Sequence, residues 1–511
     1  MWGSIRNMMT TARNEGRKQQ DSTRICSQER ENVGCDRDET TASTWSLCAQ
    51  VKMAGACWLL SAACGTSLWI SDYNAAPSAV LPSHSMATPF GSLIAGVAMD
   101  RWGRRPVAIF GAGLFVIGWW VLAAAQNHAT VIAGALINGY CKGHLMTVVM
   151  VLTVEFSDPS TRGTLVALVG VAFAVGCGLA GGLGLYLDRR IVSGLASLLP
   201  LVSLAAWFFL PESAVWLARK HRMIEARRTL RWVCGTGREN QAQVEHEDLM
   251  RRRRQDEEED FRNSAGTSRP VLKKWRMLTS PTLHRPFFIG LILNVAQAVC
   301  GAYSLVPRFA NCAKREDEFL VELLRVPALL AAALCLRRVG RRYLSVTSGL
   351  CSCACALTLG VLHYVQLNNN RPIPAQTNVI VTLFLALLYV ESNSWGFSIL
   401  SLLIPCELLP GKVRATLCGV IFAVHDIFVC IIYSIRCRIC DVFGTYGMLW
   451  ILAIASVLCT IFVYIFLPET KDRSCGEIQD HFRQRSDLRM AKKPHSQNIE
   501  LNNEERSCEF V

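Results

Sequence analysis

Charge is what this chain has least of. Only 18% of its 511 residues are Asp, Glu, Lys or Arg, against roughly 25% in soluble domains. Acids are scarcer than bases, 40 against 53, which leaves a formal net charge of +13. No Gly-x-x-x-x-Gly-Lys-Ser/Thr run occurs, so no nucleotide loop is present to drive work by ATP, and no cofactor is expected. Residues 1–50 are polar and hold no apolar core of the kind a cleaved signal needs. The run Cys351-Ser-Cys353-Ala-Cys355 lies in an apolar stretch without a nearby His, which argues against a metal site. Most of the 22 cysteines, among them Cys300, Cys335 and Cys459, lie within apolar runs. There they act as small hydrophobes and not as a disulfide scaffold.

What is present is hydrophobicity. Of all residues 51% are apolar, and the mean hydropathy is +0.26. The apolar runs predict an all-α membrane protein with two sets of six spans. The first set covers residues 51–70, a segment ending near Met99, then 107–125, 130–154, 163–187 and 191–210. The second covers 286–309, 319–336, 343–365, 377–409, 415–435 and 446–467. The predicted organisation is a cytoplasmic tail (1–50), an N-terminal six-helix bundle (51–217), a charged cytoplasmic loop (218–284), a C-terminal six-helix bundle (285–470) and a second tail (471–511). Within the loop, the periodicity of Ile224 to Val233 predicts amphipathic helices under the bundle.

Lys and Arg concentrate after every second span and in both tails, which places both termini in the cytoplasm. The positive charge therefore matches anionic lipid, and nucleic acid is not an expected partner. The expected partners are the bilayer and a small-molecule solute; a monomer suffices for this, and the sequence does not set the oligomeric state.

Three signatures occur twice, in the same order. Gly91–Arg105 is an apolar helix with small Gly91, Ala95 and Ala98 that ends in Asp100, Arg101, Gly103, Arg104 and Arg105; Arg337–Arg342 repeats the basic turn. Glu155 and Arg162 stand seven residues apart, as do Glu407 and Arg414. Leu210–Ser213 reads Leu-Pro-Glu-Ser, and Leu467–Thr470 reads Leu-Pro-Glu-Thr. Such duplication in an apolar chain marks transporters built from related bundles. One region departs from this regularity. Only about fifteen residues, Ser85 to Met99, remain for the second span after Pro77 and Pro82, too few for a hydrocarbon core of about 30 Å at about 1.5 Å per residue. Either the helix runs back through Pro89 and Pro82, or the span is truncated by a missing coding segment. The sequence favours truncation.

On these motifs the chain resembles the major facilitator superfamily and, within it, the sugar porters; the wording around the motifs is most similar to the insect facilitated trehalose transporters. The resemblance runs from about Val51 to Lys471. It implies the major facilitator fold of twelve spans, no enzymatic activity and a plasma-membrane location. It also implies a cytoplasmic salt-bridge gate of Asp100, Arg104, Arg105, Glu155, Arg162 and Glu212, mirrored by Arg341, Arg342, Glu407, Arg414 and Glu469. Arg337 stands where the second copy usually has an acid.

Asn294, Gln297, Gly301 and Ser304 fall at spacings of three and four and form a polar stripe on span seven. Amides suit sugar hydroxyls because each both donates and accepts. Gln297 and Gly301 match the family's Gln-Gln-x-x-Gly, with Ala298 in place of the second Gln. Other departures are Tyr303, Gly170, Ala135, Asn138 and Leu402, and Arg325 stands about where the family has a sugar-binding Asn. A charge there is expensive in lipid and should face the cavity. His425 and Asp426 inside span eleven form a possible proton site; the alternative is a packed polar pair or a partner for Arg325. The leading expectation is a facilitative carrier of a sugar, trehalose or hexose-like, or of a related small polar solute, by alternating access. A carrier of a charged organic solute, or a non-transporting, defective carrier-like protein, are the alternatives.

Overall fold

The structure, a computed structural model, describes residues 47–70, 80–235, 239–264, 281–300, 315–368 and 375–483, which fall within one compact unit, Ser46–Val511. The first half holds α1 (Leu47–Ile70), α2 (Val80–Trp102), α3 (Arg104–Ala123), α4 (His128–Glu155) and α5 (Arg162–Tyr186). A sixth span is broken at Ser197 into α6 (Arg189–Ala196) and α7 (Leu198–Trp207). Three helices follow outside the spans: α8 (Ala214–Arg219), α9 (Met223–Cys234) and α10 (Glu239–Ser264).

The second half holds α11 (Pro281–Cys300), α12 (Arg315–Arg338) and α13 (Arg341–Asn368). Next, α14 (Ala375–Asn393) passes through a π turn, Ser394–Ser398, into α15 (Ile399–Leu408). The last, α16 (Arg414–Phe466), breaks at Gly444, whose φ of 72° is a left-handed conformation that glycine adopts without strain. Among the described residues, nine segments are long and apolar enough to cross a membrane, two of them the halves of α16. With α1, α2 and α12, each of 23 or 24 residues, the described spans reach twelve.

The second span is not truncated. At 23 residues and about 1.5 Å per residue, α2 is about 35 Å long. It begins at Val80, so Pro82 falls in the first turn, where a missing N–H breaks no intrahelical bond. Pro89 lies inside the helix, which continues through it. The helix runs back through Pro89 and Pro82 and so reaches the length of a full span.

Large apolar side chains point outward, as lipid requires: Phe90, Phe110, Trp120, Ile454, Leu458 and Ile465 are all exposed. Small residues face inward. Ala95 and Ala98 are buried, and the α-carbon of Gly91 backs onto the Tyr140 carbonyl of α4. Outside the spans, α9 turns Leu230 and Cys234 towards Ala214 of α8 and Ala242 of α10. Arg227, Arg228 and Arg231 on its other face are exposed, the amphipathic pattern read from the sequence, although Ile224 is exposed as well.

Candidate functional site

The basic turn between α2 and α3 is shaped by Gly103, whose φ of 109° disfavours any other residue. Immediately after it, the N-terminus of α3 presents unpaired backbone N–H groups, and Glu212 fills them. The Arg104 and Arg105 amides donate to its carboxylate at 2.9 and 3.1 Å. The second half repeats the arrangement: the Arg341 and Arg342 amides at the start of α13 donate to Glu469 at 3.0 and 3.3 Å. Burial pushes the Glu212 carboxyl above its ordinary range, while backbone donors from Ser213, Arg104 and Arg105 and the Arg104 charge pull it back. The guanidinium of Arg105 caps the carbonyls of Trp207 and Phe208; that of Arg342 caps the carbonyl of Tyr464.

Arg104, fully buried, grips Glu155 through two bonds of 2.9 and 3.1 Å. Ser213 donates its hydroxyl to the same carboxylate. The arginine seven residues after each acid does not turn back to it but reaches the opposite half. Arg162 lies 3.7 Å from Glu407, and Arg414 lies 3.9 Å from Glu155. Arg341 stands 3.7 Å from Glu407. Asp100 adds a further crossing: it takes Arg104 at 3.4 Å and Arg219 at 3.1 Å through one oxygen, and the hydroxyl of Thr416 at 2.7 Å through the other.

The two copies differ in tightness. Glu155 is held by hydrogen bonds, whereas no described group donates one to Glu407. Thr470, the counterpart of Ser213, has a buried hydroxyl without a partner among the described residues. Arg337, the counterpart of the Asp100 region, is exposed.

Two seams join the halves. Along one, α2 and α16 touch backbone to backbone: a side chain on Gly96 or Gly419 would run into the other helix. Further along it, Ser92 donates to Asp426 at 3.0 Å and Cys430 to the Ser85 carbonyl at 3.1 Å. Along the other, Thr164 of α5 donates to the Ala333 carbonyl of α12 at 3.1 Å.

In the interior, Asn294 donates to the Gly290 carbonyl at 2.9 Å and to the Ser401 carbonyl of α15 at 2.8 Å. Gln297 meets His425 through its oxygen at 2.7 Å, and its nitrogen makes a looser bond of 3.4 Å to Ser398. Gly301 and Ser304, the rest of the stripe, lie outside the described residues. Arg325 is buried, pairs with Glu322 at 3.1 Å and donates to Ser394 at 2.9 Å. His425 and Asp426 are 3.5 Å apart; Asp426 binds Ser92 and not Arg325.

Sequence reasoning passed over Thr416, Ser92, Glu322 and Glu391, and gave Ser213 no role beyond its place in the Leu-Pro-Glu-Ser signature. Only Glu322 carried a readable signal, its position three residues before Arg325 on one helix. The others are small hydroxyls, or an acid inside an apolar run.

The sugar (and other) transporter family matches residues 3–482. The facilitated trehalose transporter Tret1 of Apis mellifera ligustica is 27% identical over 400 residues, covering 77% of this chain and 76% of that protein. Tret1 of Anopheles gambiae is 26% identical over 425 residues, 81% of this chain, which spans about half (51%) of that longer protein. Among solved structures, the proton:xylose symporter XylE bound to 6-bromo-6-deoxy-D-glucose superposes with a TM-score of 0.68 at 18% identity, over 85% of this chain and 98% of that one. The inward-open conformation of XylE from E. coli superposes at 0.57 and 17% identity, over 84% and 98%. These two likenesses show the fold.

Proposed function

The chain belongs to the sugar (and other) transporter family, and on that premise we propose that it moves a sugar, trehalose or hexose-like, or a related small polar solute by alternating access. It is an all-helical, multi-pass membrane protein of the major facilitator fold and a non-enzymatic carrier. The observation that carries the proposal is the crossing of the duplicated pairs, Arg162 to Glu407 and Arg414 to Glu155. Ion pairs between two bundles, gathered among the described residues at one end, form a latch that closes that end and releases it without unfolding either bundle.

In this reading the bundles 51–217 and 285–470 rock against each other. The loop 218–284 and the tails 1–50 and 471–511 face the cytoplasm of a plasma-membrane carrier. Gln297 contacts solute through its loosely held amide nitrogen; Arg325 lies beside the same interior. Downhill movement needs no more than the latch.

A second reading, a carrier of a charged organic solute, draws on the buried Arg325 and the half-buried Glu322 beside it. The non-transporting alternative loses the observation that prompted it, since α2 is of full length. Uptake of radiolabelled trehalose, glucose and organic ions into oocytes tests the proposal. Saturable trehalose or glucose uptake supports it; saturable uptake of ions alone favours the second reading, and no uptake of any solute by surface-expressed protein overturns both. Tags at either end labelled in intact cells without permeabilisation would overturn the orientation.

A further inference from the structure

Glu391 lies on α14 within the Ile380–Leu408 span. Both its carboxylate oxygens are shielded from solvent, and no described group donates a hydrogen bond to either. The charges that act on it are Arg325 and Glu322 of α12. Arg325 is engaged elsewhere: its Nη1 holds both oxygens of Glu322, at 3.1 and 3.4 Å, and its Nε holds Ser394.

Among the described residues, the other elements around α14 bring no donor to Glu391. Ser348 and Ser352 of α13 bond to Ser392, and the thiols of Cys353 and Cys355 pack around Tyr389. Tyr389 and Asn393 of α14 itself donate to the Cys300 carbonyl of α11.

Arg325 is paired with Glu322, and no described cation is paired with Glu391. An ionised carboxylate out of water and without donors is costly, and such a group neutralises instead. Both oxygens are covered by protein, so the neutralising species must occupy almost no room. A proton meets that condition.

We propose that Glu391 is a proton site: it binds a proton arriving from the face opposite the crossed pairs while they are closed, and releases it to the other face when Arg325 leaves Glu322 for Glu391. One proton enters the carboxylate and the same proton leaves it, so solute and H⁺ travel together. The coupling rests on the alternating-access reading; the site itself does not. It is separate from His425 and Asp426, where Ser92 already donates to the acid.

Infrared difference titration of the full-length protein in lipid vesicles tests both parts. A carboxylic-acid C=O band that converts to carboxylate as pH rises should be present in the unmutated protein. It should be absent in Glu391→Gln, restored in shifted form by Glu391→Asp, and retained in Asp426→Asn. In Arg162→Ala, which weakens the closed end, its midpoint should fall by about one pH unit or more as Arg325 becomes a partner. Identical bands in the unmutated and Glu391→Gln proteins overturn the site, as does a band that Glu391→Asp does not restore. A midpoint unchanged in Arg162→Ala overturns the coupling. An intact, gate-sensitive band in a protein that takes up no solute overturns the carrier reading and leaves the proton site standing.

Discussion

Arg162 lies 3.7 Å from Glu407, in the opposite half of the molecule, and not against Glu155, the acid seven residues before it. Read along the chain, Glu155 and Arg162 look like one local pair, and Glu407 and Arg414 like its copy. In space the copies exchange arginines, so a motif repeated within each bundle becomes a connection between bundles. At 3.7 and 3.9 Å these crossings exceed hydrogen-bond length and act through charge alone. The bonds within the first bundle, at 2.9 and 3.1 Å from Arg104 to Glu155, are the tighter ones. Of the arginine pairs to Glu155 and Glu407, motion that separates the halves thus breaks the weaker and spares the stronger.

Arg162→Ala should therefore favour the open arrangement of this end. Removing one partner of a buried ion pair costs about 3–5 kcal/mol, and about half of the roughly 5.5 kcal/mol that carries an equilibrium from 1:99 to 99:1 suffices to bring it near parity. Spin labels on α2 and α16 at this end should report a second, longer distance. Glu407→Gln should act in the same direction, because it removes the carboxylate that faces both Arg162 and Arg341. An unchanged distance distribution in Arg162→Ala would remove these residues from the latch.

The unequal tightness of the two copies gives a second expectation. Ser213 donates to Glu155, so Ser213→Ala should destabilise the protein by about 1.5–3 kcal/mol, the range for a hydrogen bond to a charged group. Thr470 has a buried hydroxyl without a partner among the described residues, so Thr470→Val should be neutral or stabilising. Thermal unfolding followed in detergent compares the two directly. Equal losses would mean that Thr470 is bonded to Glu407 as Ser213 is to Glu155.

Much of the fold was legible because lipid imposes long apolar runs, and because duplication fixes their pairing in order. The limits of α5, read as 163–187, and of the first half of α16, read as 415–435, fall within a residue or two of the helices. The second span was misread because Pro82 looks like a breaker in one dimension, while in the helix it occupies the first turn. The partners in the crossed cluster were not legible at all. Sequence spacing describes neighbours on one helix, and Arg162 with Glu407, or Asp100 with Thr416, meet only when two bundles dock. Glu391 was missed for the opposite reason: its neighbours are apolar, and its isolation is visible only once the carboxylate is seen to lack donors.

The seam between α2 and α16 should tolerate no added volume. A Cβ on Gly419 would stand 2.7 Å from the Ser92 carbonyl oxygen and 2.9 Å from the Gly96 α-carbon, both backbone atoms that cannot rotate aside. Gly419→Val should hold the halves apart and lower the yield of a disulfide engineered between α2 and α16, with Gly419→Ala acting in the same direction and less. Gly178→Ala, where nothing lies within 4 Å of the added carbon, is the matched control and should leave the yield as it is. Efficient cross-linking in Gly419→Val would show that the helices do not need this approach to close.

The two amides of α11 should separate structure from solute. Asn294 is committed twice over, donating to the Gly290 and Ser401 carbonyls at 2.9 and 2.8 Å, and Pro405, four residues after Ser401, has no N–H to give the latter. Asn294→Leu should leave those carbonyls short of a donor and lower stability by about 1–3 kcal/mol. It should not change the half-saturation concentration of the protein that still folds. Gln297 differs: its oxygen is taken by His425 at 2.7 Å, but its nitrogen makes only the 3.4 Å bond to Ser398, which leaves N–H capacity for a solute hydroxyl. Gln297→Leu keeps the volume and removes that donor, so apparent affinity should fall by about 5- to 150-fold, the factor that 1–3 kcal/mol implies. Part of the loss in Gln297→Leu would come from freeing His425, so His425→Gln, which keeps a polar side chain opposite Gln297, serves as the comparison. Uptake kinetics normalised to surface protein, beside thermal unfolding of the same variants, measure both quantities. A half-saturation concentration unchanged in Gln297→Leu, with stability reduced as in Asn294→Leu, would make both amides struts between α11 and its neighbours and move the solute contact elsewhere.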